Sequence, residues 1–162
     1  MLQGRRRRRG QVFARRERVM ISGVPQLAER PISQTMPLSA QVDSIDVAAS
    51  FEMIRNAMTQ SAHSRLVLVK DDRMEDPLGF VHKKDLLRML LLGRQSSLQR
   101  LARSPLKLVD MLSILNALEQ VRKSSTHIAF MVNEVGTFQG VLSMTDILES
   151  IADELPEANE IQ

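Results

Sequence analysis

The sequence predicts an α+β fold built from two βαββα repeats packed about a pseudo-twofold axis. The first observation behind it is self-similarity. Val42–Leu92 and Leu106–Leu155 carry the same motifs in the same order, with Ser50 matching Ser113 and Val69 matching Val132 at an offset of 63. Gly79 and Gly140, like Asp85 and Asp146, match at an offset of 61, so the first copy has a loop two residues longer. That loop, Lys70 to Pro77, is rich in acids, and an exposed loop is where a length change costs least. The second observation is that short apolar, β-branched runs alternate with stretches of helical spacing in both copies. The third is that a chain of 162 residues with 43% hydrophobic content can bury a sizeable core.

Each element has a local reason. In the first copy Val42 to Ile45 alternates apolar and polar and reads as a strand. Ser50 can cap a helix in which Phe51, Ile54 and Met58 recur on one face. Arg65 to Val69 is continuously apolar after its arginine, as a buried strand would be, and Gly79 to His82 returns beside it. Lys83 to Leu92 then places Leu86, Leu87, Leu90 and Leu91 in a wide apolar stripe. The second copy repeats the series with Ile114, Ala117, Leu118 and Val121, then Ile128 to Val132, then Val141, Leu142, Ile147, Leu148 and Ile151. A three-stranded sheet with two helices covers only one of its faces, and two copies facing one another cover the other. The chain thus divides into a basic tail (1–18), a helix and linker (19–41), the first repeat (42–92), a connecting segment (93–105), the second repeat (106–155) and an acidic tail (156–162).

Composition excludes several classes of function. With no cysteine there are no disulfides, thiolate metal sites or cysteine nucleophiles, which suits a reducing, cytosolic setting. The longest apolar stretch is interrupted by Arg88 and falls far short of the roughly 18 to 20 residues of a membrane span. Eight of the 22 basic residues lie in the first 18 positions, and from Val19 onward the net charge is −4. The arginine run Arg5 to Arg9 suits a solvated linker or an anionic surface, lipid headgroup or nucleic-acid phosphate. The rest of the chain is a poor match to nucleic acid, with no tryptophan or tyrosine and only five phenylalanines for stacking.

The chemistry concentrates in the matched strand-to-helix turns, GFVHKKD and GVLSMTD. Ser143 at the strand end and Asp146 in the first helical turn bring together a hydroxyl, helix N–H groups and a carboxylate. The N–H groups and positive helix end suit a phosphate, and the carboxylate, a pure acceptor, suits the two hydroxyls of a ribose. A helix cap formed by Ser143 and Asp146 is the competing explanation of the same two residues. His63, His82 and His127 lack metal-ligand spacing, and no nucleophile-elbow pattern surrounds Ser143 although His127 and Asp146 complete the letters of a triad. No catalytic or metal-binding residue is expected, and the chain is read as a non-enzyme.

The tandem units, the strand HSRLVLV, the Gly-to-Asp turns and the stretch ILESIADEL resemble a pair of cystathionine beta-synthase (CBS) domains, the Bateman module. The resemblance covers about Val12 to Leu155 and is nearest to the pairs in CorC/HlyC and TerC-type membrane proteins. It implies a regulatory module that binds AMP or ATP, with or without Mg2+, through a Gly-to-Asp turn whose hydroxyl and carboxylate contact phosphate and ribose. Carried across, Gly140, Ser143 and Asp146 match fully. Gly79 and Asp85 match in the first copy, where His82 replaces the hydroxyl residue, and Arg65 matches the basic residue that reaches phosphate. An adenine slot beside the first strands would draw on Val42, Leu106 and Leu108. Met36-Pro37-Leu38-Ser39 departs from the Met-Thr-Pro-Arg of relatives. The resemblance further implies a homodimer, an attached membrane transport domain and a place on the cytoplasmic face of the cell membrane; a ligand-free dimerisation module is the alternative.

Overall fold

The computed structural model describes residues 26, 28–35, 42–93 and 97–154. The arginine-rich tail, most of the linker before the first repeat, including Met36 to Ser39, and the acidic tail lie outside the described residues. In chain order the elements are α1 (Ile32–Thr35), β1 (Ser44–Asp46), α2 (Phe51–Gln60), β2 (Arg65–Val69), β3 (Gly79–His82), α3 (Lys83–Leu91), α4 (Leu98–Leu101), β4 (Leu106–Val109), α5 (Ile114–Lys123), β5 (Ile128–Val132), β6 (Phe138–Ser143) and α6 (Met144–Glu154). The expected βαββα order appears twice. Ser50 and Ser113 cap α2 and α5, their hydroxyls accepting from Met53 N–H at 3.3 Å and Asn116 N–H at 3.4 Å.

The first strand is displaced from its expected place at Val42 to Ile45: it runs from Ser44 to Asp46. Asp46 ends it, because its carboxylate accepts from Ala48 N–H at 2.8 Å and Asp72 N–H at 3.3 Å and so folds the chain into a turn. These backbone donors, Ala48 foremost, hold the Asp46 carboxyl below its ordinary range.

Two three-stranded sheets result, β1-β2-β3 and β4-β5-β6, each with a parallel pair followed by an antiparallel pair. Alternation along the central strands assigns their side chains to two layers. Leu66 and Leu68 join Ile54, Leu86 and Met89 beneath the helices of the first repeat, and Ala129 and Met131 join Ala117, Val121 and Ile147 beneath those of the second. The opposite faces meet each other: Val67, Val69 and Phe80 pack with Ile128 and Phe130 in a third core at the seam. Phe138 N–H donates to Glu75 O at 3.0 Å, so the longer loop of the first copy joins the start of β6.

The linkers are exchanged between the repeats. The segment before the first repeat docks on the second: Ile32 is fully buried in the second repeat's core, Ile32 N–H donates to Leu112 O at 3.0 Å, and Ile114 N–H donates to Arg30 O at 3.0 Å. Arg30 also pairs with Glu154 at 3.0 Å. Conversely Leu98, Leu101 and Ala102, from the connecting segment, complete the core of the first. The sequence reading treats both segments as linkers, and the structure makes each a missing wall of the repeat it does not precede.

Burying an isoleucine side chain is worth roughly 1.5–3 kcal/mol, and truncation in a core adds a cavity cost. Ile32→Ala is therefore expected to lower unfolding stability by about 2–5 kcal/mol in urea titration. An unchanged midpoint would mean that this segment does not hold the second repeat.

Candidate functional site

The register of the antiparallel pairs sets the two turns in equivalent places. Arg65 lies opposite His82 at the end of one hairpin, and Ile128 lies opposite Ser143 at the end of the other. Arg65 shares the seam-facing side of β2 with Val67 and Val69, so each turn begins where a sheet's seam face runs out.

In the second repeat Ser143 and Asp146 are bound to each other. Asp146 Oδ2 accepts from Ser143 N–H at 2.8 Å and from its hydroxyl at 2.7 Å, while Asp146 N–H donates to Ser143 Oγ at 3.1 Å. This is a reciprocal cap, with aspartate in the place where glutamate is usual. Both bonds fall on one carboxylate oxygen, and Oδ1 accepts none from the described residues. Met144 N–H is also engaged, donating to His127 O at 3.2 Å. The turn is therefore less open than a set of unpaired N–H groups: it offers one carboxylate oxygen and a hydroxyl that must turn from Asp146 to reach a phosphate.

The first repeat's turn is built differently. His82 occupies the cap position and makes no side-chain cap bond. Its ring meets Phe80 edge to face at 5.5 Å between centroids. Asp85, equivalent to Asp146, pairs instead with Arg103 Nη2 at 3.3 Å. Lys83 N–H donates to Ser64 O at 3.0 Å, and its ammonium donates to Ser61 O. Arg65 keeps its Nε buried without a hydrogen-bond partner among the described residues. Burial lowers the His82 pKa first, followed by the charges of Arg65 and Arg103 and more weakly Lys84, with Asp85 opposing them, so the imidazole is neutral near pH 7.

Gly79 has a φ of +149°, and a Cβ there would stand 2.6 Å from Arg103 O. The glycine is required by close approach of the connecting segment, whose Arg103 exchanges two backbone hydrogen bonds with Phe80 at 2.9 and 3.0 Å. Arg103 is the residue that sequence reasoning missed, because a single bridged residue leaves no periodic pattern. The expected apolar slot divides: Val42 packs against the seam core, whereas Leu106 and Leu108 belong to the helix-side core of the second repeat, under its helices and out of the seam. Among the described residues no group of three or more His, Cys, Asp or Glu side chains could hold a metal, and no helix is long and apolar enough to cross a membrane.

A doubled βαββα unit with two Gly-to-Asp turns at a shared seam is the arrangement of a CBS-domain pair, and residues 37–92 match the family model described as CBS domain. Residues 37–92 are thus matched as a CBS domain, and the chain has the fold of a CBS-domain pair similar to those of the CorC/HlyC type. It is 40% identical over 152 residues to the UPF0053 protein YegH of Escherichia coli K12, covering 94% of this chain and 28% of that one. The chain thus spans little more than a quarter of that relative. Among solved structures it is similar to the CBS domain of a putative transporter from Clostridium difficile 630, with 29% identity, a TM-score of 0.71, and 80% and 98% of the two chains covered. It is also similar to the CBS domain of a bacterial CNNM/CorC family Mg2+ transporter in complex with ATP, with 23% identity, a TM-score of 0.71, and 85% and 97% covered.

The depressed His82 pKa has a signed consequence. Its folded value lies below the unfolded 6.5, so the unfolded chain takes up the proton first, and stability falls as pH drops below that value toward the folded one. His82→Gln is expected to flatten this loss between about pH 7 and pH 5 in denaturant titrations, and an unchanged slope would place the proton uptake elsewhere.

Proposed function

We propose that the chain is a regulatory module that binds an adenine nucleotide, AMP or ATP, at the Ser143–Asp146 turn and passes its occupancy to an attached membrane transport domain on the cytoplasmic face. The observation that carries this reading is the Asp146 carboxylate, held by its cap at the end of the seam with Oδ1 unbonded among the described residues, where a sugar hydroxyl can donate. Gly140 and Ser143 complete the matched motif, and a relative of the same fold was solved with ATP. The module senses and does not catalyse. A nucleotide shifts such a switch only by its difference in affinity between two arrangements, so coupling, and not tight binding, is the functional quantity.

The apolar helix faces support a homodimer. Met53, Leu87 and Leu91 on the helices of one repeat, and Leu115 and Leu148 on those of the other, are 47–78% exposed. A second copy would cover them. A dimerisation module without ligand is the second reading, favoured by the cap, which already uses the Ser143 hydroxyl and Asp146 Oδ2. The two readings part on ligand titration and agree on oligomeric mass.

The melting temperature is expected to rise with AMP or ATP, measured with and without Mg2+, and to stop responding in Asp146→Ala. Loss of the cap alone costs about 1 kcal/mol, so each variant is compared with its own unliganded baseline. Asp85→Ala is expected to have a smaller effect. A wild-type chain that responds to no nucleotide would leave the dimerisation reading.

A further inference from the structure

The geometry points to Arg103 as the residue that makes the two clefts unequal: its guanidinium holds the Asp85 carboxylate and bars a sugar diol from the first repeat's turn. The inference rests on the nucleotide reading for the kind of ligand, and it explains why only one of two duplicated turns would take it.

Arg103 is placed by its backbone and not by its charge. The two hydrogen bonds to Phe80 add it to the free edge of β3, and Gly79 is the residue that admits it, since any Cβ at that position would collide with its carbonyl oxygen. From there Nη2 reaches Asp85 Oδ2 at 3.3 Å; the Asp85 side chain is 21% exposed and that of Arg103 48%. Asp85 Oδ2 is held by a guanidinium, a charged partner that a neutral sugar hydroxyl displaces poorly, whereas the Ser143 hydroxyl on Asp146 Oδ2 can rotate away and free a lone pair for the second hydroxyl of a vicinal diol. Asp146, in the equivalent place, takes part in no ion pair among the described residues, and its neighbour is the hydroxyl that the first repeat lacks.

The sign of the effect separates this inference from simple electrostatics. Arg103 stands with Arg65 and Lys84 around His82, so charge alone predicts that removing it weakens the binding of an anionic nucleotide. Occupation of Asp85 predicts the opposite. Arg103→Met keeps the aliphatic stem and the backbone bridge while freeing the carboxylate.

The test is a fluorescence titration with N-methylanthraniloyl-ATP in an Asp146→Ala background, which silences the second repeat. In this background only weak binding at the first repeat remains, too weak to shift the melting temperature; adding Arg103→Met is expected to tighten it about fivefold, the upper range for releasing an exposed pair, and adding Asp85→Asn as well is expected to abolish that gain. Equal or weaker binding in the Arg103→Met chain, no binding in either, or a gain that survives Asp85→Asn would each overturn the inference. Should the Asp146→Ala background fold poorly, calorimetry on Arg103→Met alone is expected to count one more ATP site than wild type, and an equal count is the contrary result. Failure of the underlying nucleotide reading shows separately, as wild type and Asp146→Ala titrating alike without any change at Arg103.

Discussion

The seam between the sheets is the constraint on which the rest of the molecule depends. Each sheet is apolar on both faces, and the helices of its own repeat cover only one. Val67, Val69 and Phe80 would face water if Ile128 and Phe130 were not there to meet them. At about 25 cal/mol per Å2 of apolar surface, exposing either layer would cost more than a small domain has to spare. The duplication is therefore what allows a three-stranded unit to exist, and the two turns share a seam because the sheets that carry them must.

Much of this was legible because burial writes a pattern. The continuous apolar run in RLVLV marked a strand buried on both faces, which the structure divides between Leu66 and Leu68 on one side and Val67 and Val69 on the other, and the paired offsets disclosed the repeat. The serine caps of α2 and α5 were equally readable, since a hydroxyl before an apolar-periodic stretch has a local partner. What stayed hidden was non-periodic. Ile32 acts as a wall of the distant second repeat, and Leu98 with Leu101 and Ala102 as a wall of the first, and nothing in their neighbourhoods specifies which core receives them. Arg103 was concealed for the same reason. The face on which Leu106 and Leu108 lie was likewise unreadable, because it depends on which side of β4 the helices occupy.

The two turns show how a duplicated motif diverges under one fold. Substituting His82 for the hydroxyl residue removes the side-chain cap, and the carboxylate that would have joined it finds a cation instead. In the second repeat the carboxylate and the hydroxyl satisfy each other. Both carboxylates find a partner, so the divergence keeps each of them satisfied while it changes what each turn offers to a ligand. Competition between internal bonds and ligand bonds thus decides the chemistry at both ends of the seam.

The exchange of linkers has a mechanical corollary. The chain upstream of the first repeat is riveted to the second, by Ile32 in its core and by Arg30 at Glu154, near the far tip of the helix whose opposite tip carries Asp146. Tension arriving from that direction would bypass the nearer repeat and tug on α6 as a lever. A pull on Arg30 and Ile32 would thus reach the turn of Asp146 before the one that Arg103 guards.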